Sequence, residues 1–214
     1  QRHSDDQGQA TAPRDVLYPG KQSGLTLVVG MALREGDGTS NAAVIVDSSG
    51  GLRATYRKAH LFRDLDASRF RPGPHATAVA EVDGVRVACV ICYDIEFPET
   101  ARAAALGGAH VLAVPTANMS PWEVVNESVI PARAFENQLY VAYANHIAAE
   151  GNTSYVGRSV IAAPDGSTER AGPDEETIIV MPFDTDDIER RRQEATHLAD
   201  RRPALYHRLT EADV

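Results

Sequence analysis

Val85-Arg86-Val87-Ala88-Cys89-Val90-Ile91-Cys92, running on into Tyr93-Asp94-Ile95-Glu96-Phe97-Pro98-Glu99, is the stretch whose reading decides the fold. Its first eight residues are almost wholly apolar and rich in β-branched side chains, the composition of a strand buried on both faces. Pro98 suits the first turn of a helix, where its missing N–H costs nothing, and Gly107-Gly108 closes that helix. A buried strand, a tight segment from Tyr93 to Phe97 and a helix therefore follow one another.

Downstream, the same alternation continues. A second buried strand is expected over Ala109–Val114, a helical stretch interrupted by Pro131 over Val124–Asn137, and a strand over Leu139–Asn145. Asp165-Gly166 marks a turn between the segment Arg158–Ala163 and a strand at Thr177–Met181. Upstream, Leu25–Leu33 and Asn41–Val46 flank a turn-forming stretch and predict an antiparallel pair, and Ser48-Ser49-Gly50-Gly51 feeds a third strand, Leu52–Arg57. His60–Pro74, with charges, Pro and Gly and no period, reads as a loop over the strand ends. Strands alternating with helices, with hairpins at either end, predict an α/β sandwich. Residues 1–24 are polar and aperiodic, which predicts a loosely ordered arm ahead of a single domain at 25–214.

Bulk composition narrows the function. The 214 residues fit one domain; 43% are hydrophobic and 24% charged, and no apolar run approaches the roughly 18 residues a membrane span requires. The first twenty residues lack the apolar segment of a secretory signal, so the expected compartment is the cytoplasm. A formal charge of −9 argues against binding to nucleic acid or to an anionic membrane. Arg190, Arg191 and Arg192 follow Asp184, Asp186, Asp187 and Glu189, the charge order of a solvated helix whose ends complement its dipole.

Cys89 and Cys92 form a C-x-x-C pair, but they lie on a strand, where residues three apart face opposite sides. A redox pair or a metal site is therefore not expected, and Cys89 reads as a core residue. Cys92 ends the strand just before a helix. Backbone N–H groups there favour a thiolate and an oxyanion, most naturally the N–H of Tyr93, so Cys92 is a candidate nucleophile, with a buried structural cysteine as the competing reading. Lys58 ends another strand, beside Arg57 and His60, where its ammonium can reach the same mouth or simply be solvated. Glu99 and Glu136 are further carboxylates; Glu136 follows Arg133 by three residues, the spacing of an intrahelical ion pair.

Tyr56-Arg57-Lys58-Ala59-His60-Leu61-Phe62 resembles the lysine motif of the nitrilase superfamily of carbon–nitrogen hydrolases, and Val90 to Glu99 resembles its nucleophile motif. Pro115-Thr116-Ala117-Asn118, Arg133 to Gln138 and Asp200 to Tyr206 continue the likeness, which runs from about Leu25 to the C-terminus and is greatest to amidase-type members. The resemblance implies a four-layer α-β-β-α sandwich and a metal- and cofactor-free mechanism with Cys92 as nucleophile. Lys58 and the Tyr93 N–H would stabilise the oxyanion, and Asp66, ahead of Phe70-Arg71-Pro72-Gly73, would support the lysine. Asn118, Glu99 and Glu136 are carried as supporting positions. The implied substrate is a small amide or nitrile and the implied assembly a homodimer or larger oligomer. The family's general-base glutamate lies in a Pro-Glu motif upstream of the strand at Leu25, and residues 1–24 contain none. The expectation is thus a domain incomplete at its N-terminus, or a degenerate member that binds without catalysis; Glu35 is not assigned the role. Within the enzyme class, a nitrile or N-carbamoyl substrate is the alternative.

Overall fold

The computed structural model describes Pro19 and residues 21–210. Most of the expected arm at 1–24 lies outside the described residues. Three antiparallel strands form one sheet in the order β1 (Leu27–Glu35), β2 (Gly38–Val46) and β3 (Leu52–Arg57). The β2–β3 turn is closed by Asp47, whose Oδ1 accepts the amides of Ser49 at 2.9 Å and Gly51 at 2.8 Å, a side-chain mimic of a backbone turn.

The second sheet is six-stranded. Its strands are β4 (Ala78–Val82), β5 (Val85–Cys89), β6 (Val111–Thr116), β7 (Tyr140–Asn145), β10 (Val160–Ala162) and β11 (Thr168–Arg170), in the spatial order β11-β10-β7-β6-β5-β4. The central pairs β5–β6 and β6–β7 are parallel and the flanking ones antiparallel. A separate short hairpin joins β8 (Ala149–Glu150) to β9 (Thr153–Ser154). The parallel centre matters because open α/β sheets bind ligands beyond the carboxyl ends of such strands.

The two sheets face each other. Ala43, Ile45 and Tyr56 of the smaller sheet share one buried cluster with Ala88, Leu112, Val114 and Val141 of the larger. Helices α2 (Pro98–Leu106) and α3 (Ile130–Asn137) add Ala101, Ala104, Ile130 and Ala134 to that core. On the other face of the smaller sheet, Val44 and Val46 gather Leu27, Val29 and Met31 into a second apolar cluster. A sheet apolar on both faces is built to be covered on both, which is the inner pattern of a layered α/β sandwich.

Several expectations change in detail. β5 ends at Cys89 rather than Cys92, and its hairpin partner β4 was not anticipated, although Asp83-Gly84, at φ 51° and 79°, forms the two-residue turn that such dipeptides favour. The loop after Lys58 contains a short helix, α1 (Arg63–Ala67). Thr177–Met181 is not a strand. The Asp165-Gly166 turn instead pairs β10 with the nearer β11, and Ile178 and Val180 stay 88% and 75% exposed. Helix α4 (Thr185–Glu194) begins at Asp184 as its charges suggested, but its arginine face is not wholly solvated: Arg192 donates to the carbonyls of Gln138 and Ala109 and docks α4 against the sheet.

This packing separates Leu112, fully buried on β6, from Ile178. Leu112→Ala is expected to lower the unfolding free energy by about 2–5 kcal/mol and Ile178→Ser to change it by less than about 0.5 kcal/mol, read from chemical denaturation.

Candidate active site

After β5 the chain stays extended through Ile91 and then turns sharply, with Cys92 at φ 47° opening a short 3₁₀ helix, Cys92–Glu96. A left-handed conformation at a residue bearing a Cβ is strained by about 1–3 kcal/mol, so the surrounding structure must hold it. Two side chains do. Asp94, fully buried, accepts the Ile91 amide on Oδ2 at 3.1 Å, and its own N–H returns to the Ile91 carbonyl at 3.0 Å. Arg133, from α3, donates to the carbonyls of Ile95 at 3.0 Å and Glu96 at 2.7 Å, satisfying the far end of the turn.

Lys58 immediately follows β3 and is 3% exposed. Its backbone is fixed on both sides: the N–H donates to the Asn41 carbonyl and the carbonyl accepts the Gly73 N–H, each at 2.8 Å. Gly73 is required there, because a Cβ would lie 2.2 Å from the Arg57 carbonyl oxygen. The Lys58 ammonium is hydrogen-bonded to Asp66 Oδ2, which also accepts the Phe62 amide at 2.9 Å. The helical turn of α1 carries the Asp66 side chain to the lysine. Burying the pair costs desolvation of both ions, and the direct contact offsets it only while both members remain.

Cys92, Lys58 and Asp66 line one cavity of about 480 Å³ at the carboxyl ends of the parallel strands. Phe62, Leu65, Pro115, Met119 and Ala144 make its wall largely apolar, and Asn145, His146 and Tyr155 close another side. Burial pushes the Cys92 thiol above its ordinary range; the Lys58 charge and the N–H groups of Ala117 and Tyr93 pull it back down. Thr116 Oγ1 is buried without a full hydrogen-bond partner and faces the same sulfur. The site therefore disfavours a resting thiolate yet is lined with groups that stabilise negative charge once it forms.

The other candidate positions divide. Asn118 lies nearby, but its amide is spent on the Trp122 carbonyl and on Asn126, both at 2.9 Å, so it ties the loop after β6 to the π-helical turn Val125–Val129. Glu136 pairs with Arg133 at 3.0 Å and steadies the side chain that holds the cysteine turn. Glu99 is exposed on α2, in a groove shared with Arg102 and Tyr206 rather than in the cavity. Glu35 is bound to Arg57, which holds its carboxyl below the usual range. Sequence reasoning passed over Asp94, Thr116, Ala117 and Glu96. All four stood inside the quoted motifs, but contacts to residues distant in the chain give them their places. Burial raises the Glu96 carboxyl, with Lys58 and Arg133 opposing.

The profile of the family described as carbon–nitrogen hydrolase matches residues 21–193. A protein of Pseudomonas protegens named for its place, "Hydrolase in pqqF 5'region", is 44% identical over 190 residues, 88% of this chain and 67% of that protein. An (R)-stereoselective amidase from a Pseudomonas species is 35% identical over 202 residues, 94% of this chain and 73% of its own length. Among solved structures, the NitN amidase of Nesterenkonia sp. AN1 superposes with a TM-score of 0.81 at 31% identity, covering 91% of this chain and 73% of that one. A glutamine-for-glutamate variant of that amidase carries the acetamide moiety of fluoroacetamide covalently at its active-site cysteine.

The two cysteines offer a direct probe of this geometry. Cys89 is wholly buried and its thiol is pushed up to about 12, whereas Cys92 opens on the cavity beside Lys58. Iodoacetamide at pH 8 is expected to label Cys92 at least about tenfold faster than Cys89, since only the thiolate reacts; peptide mass spectrometry of a labelling time course reads the ratio.

Proposed function

The chain belongs to the carbon–nitrogen hydrolase family and is an amidase-like hydrolase, and from that premise we propose that it cleaves a small carboxamide to a carboxylic acid and ammonia or an amine through a thioester on Cys92. The observation that carries this reading is the convergence of Cys92, Lys58 and Asp66 on one cavity. The sulfur attacks the amide carbon as the thiol gives up its proton, which ends on the departing nitrogen. The Lys58 ammonium and the Tyr93 N–H meet the charge that develops on the carbonyl oxygen. Asp66, hydrogen-bonded to the ammonium, holds Lys58 in place. The C–N bond breaks, the amine leaves with a proton, and water then hydrolyses the thioester.

An apolar wall of Phe62, Leu65, Met119 and Ala144 supports a short, uncharged acyl group in the cavity, and its volume suits a small molecule. Nitriles and N-carbamoyl compounds are the alternatives within the same chemistry. Assembly as a homodimer or larger oligomer belongs to the same proposal, supported by Leu106 and Phe135, which stay 52% and 48% exposed on α2 and α3. So does the cytoplasmic placement; among the described residues no helix is long and apolar enough to cross a membrane.

The test is ammonia release from a panel of simple carboxamides, nitriles and carbamoyl compounds. Carboxamides are expected to turn over best, Cys92→Ala to lose turnover, and Lys58→Ala to lose about 10²–10³-fold in kcat, the usual effect of removing an oxyanion contact. Full turnover by Cys92→Ala would overturn the proposal.

A further inference from the structure

Asp94 does more than close the cysteine turn. Its carboxylate is fully buried and meets four donors or potential donors from two separate parts of the chain. Oδ2 accepts the Ile91 amide at 3.1 Å and the Tyr56 hydroxyl at 2.9 Å. Oδ1 accepts the His60 amide at 2.8 Å and lies 2.9 Å from His60 Nδ1. Tyr56 and His60 stand two residues before and two residues after Lys58, and Ile91 stands one residue before Cys92. The Tyr56 hydroxyl in turn accepts the Ala59 amide at 3.2 Å, tying down the residue between Lys58 and His60. The His60 ring stacks on Phe97 with centroids 3.9 Å apart, so the far side of the same turn clasps it.

We infer that Asp94 is a positioning residue that fixes the spacing between Lys58 and Cys92, clamping the lysine strand end on both sides and joining it to the nucleophile turn. This rests on the proposed roles of Lys58 and Cys92. A carboxylate with two acceptor oxygens is the group these contacts need, since each oxygen faces an amide N–H plus one further group. An asparagine of the same shape presents an NH₂ to one pair, sets donor against donor and releases one side of the clamp. The lysine charge then acts on the sulfur from a greater and more variable distance, and Coulomb attraction falls with separation. The groups facing the sulfur besides Lys58 are the Tyr143 hydroxyl, Thr116 and the N–H groups of Ala117 and Tyr93, none of which contacts the Asp94 carboxylate.

The experiment is the pH dependence of Cys92 alkylation by iodoacetamide, read by peptide mass spectrometry on the whole protein, together with kcat and KM. Asp94→Asn is expected to move the alkylation midpoint upward and to lower kcat by about 10–100-fold with KM changed less than about threefold. Lys58→Met is expected to move the midpoint the same way. In the double variant Asp94→Asn adds little to that shift, because it acts through the lysine. A purely structural role would leave the midpoint in place, or add its full shift in the double variant, and either result overturns the inference. Should Asp94→Asn fail to fold, Tyr56→Phe removes one clamp contact while keeping the ring, and is expected to give part of the same midpoint shift; an unchanged midpoint there overturns the inference equally. Full turnover by Cys92→Ala would instead mean that the proposed function itself is wrong.

Discussion

A cysteine held at φ 47° three residues beyond the end of a parallel strand is the constraint on which the rest of this structure depends. The strand must be buried for its end to be rigid, which the pairing of β5 with β6 and the packing of the two sheets secure. The strained turn must then be held from outside itself. Asp94 holds its start, Arg133 its end, and Glu136 steadies Arg133. Arg133 reaches across from α3 and Asp94 is itself tied to Tyr56 on β3, so the geometry of one residue draws on β3 and α3 together. A local strain of this kind, maintained by distributed contacts, is characteristic of sites where a side chain is aimed rather than packed.

Electrostatics add a second layer. Burial raises the Cys92 thiol, yet its surroundings are lined with positive and dipolar groups that serve a negative sulfur or oxygen. The two tendencies are compatible in a nucleophile that is neutral at rest and charged only during reaction. Lys58 supplies the largest favourable contribution and is itself an expensive ion to bury, which explains why it comes with Asp66 and with backbone contacts on either side. The glycine at 73 belongs to this arrangement, because only a residue without a side chain lets the loop lie against the strand that carries the lysine.

Much of this was legible in the sequence, and the parts that were not have physical reasons. The β-branched run to Cys92 and the Pro98 helix start gave the strand-turn-helix unit, since both signals are local. The Asp83-Gly84 hairpin signal is equally local, while the tight Asp165-Gly166 turn joins β10 to the adjacent β11 rather than to Thr177–Met181. An apolar run is not by itself a strand; Ile178 and Val180 lie exposed outside the sheet. For the candidate site, Cys92 and Lys58 stood in the quoted motifs and Asp66 ahead of one, and the structure places them on one cavity. Asp94 was visible as a letter of the nucleophile motif, but its link to Tyr56 and His60 spans more than thirty positions and emerges only in three dimensions. Asn118 shows the converse: a polar residue inside a motif whose side chain proves to be occupied in holding a loop.

The most direct test of the account is to catch the covalent state. The protein is mixed with a carboxamide that it turns over, quenched in acid within the first turnovers, and digested for peptide mass spectrometry. An acyl group on the Cys92 peptide, appearing and decaying at rates that match turnover, is the predicted result. Turnover with Cys92 unmodified at every time point, or with the acyl group on another residue, would contradict it.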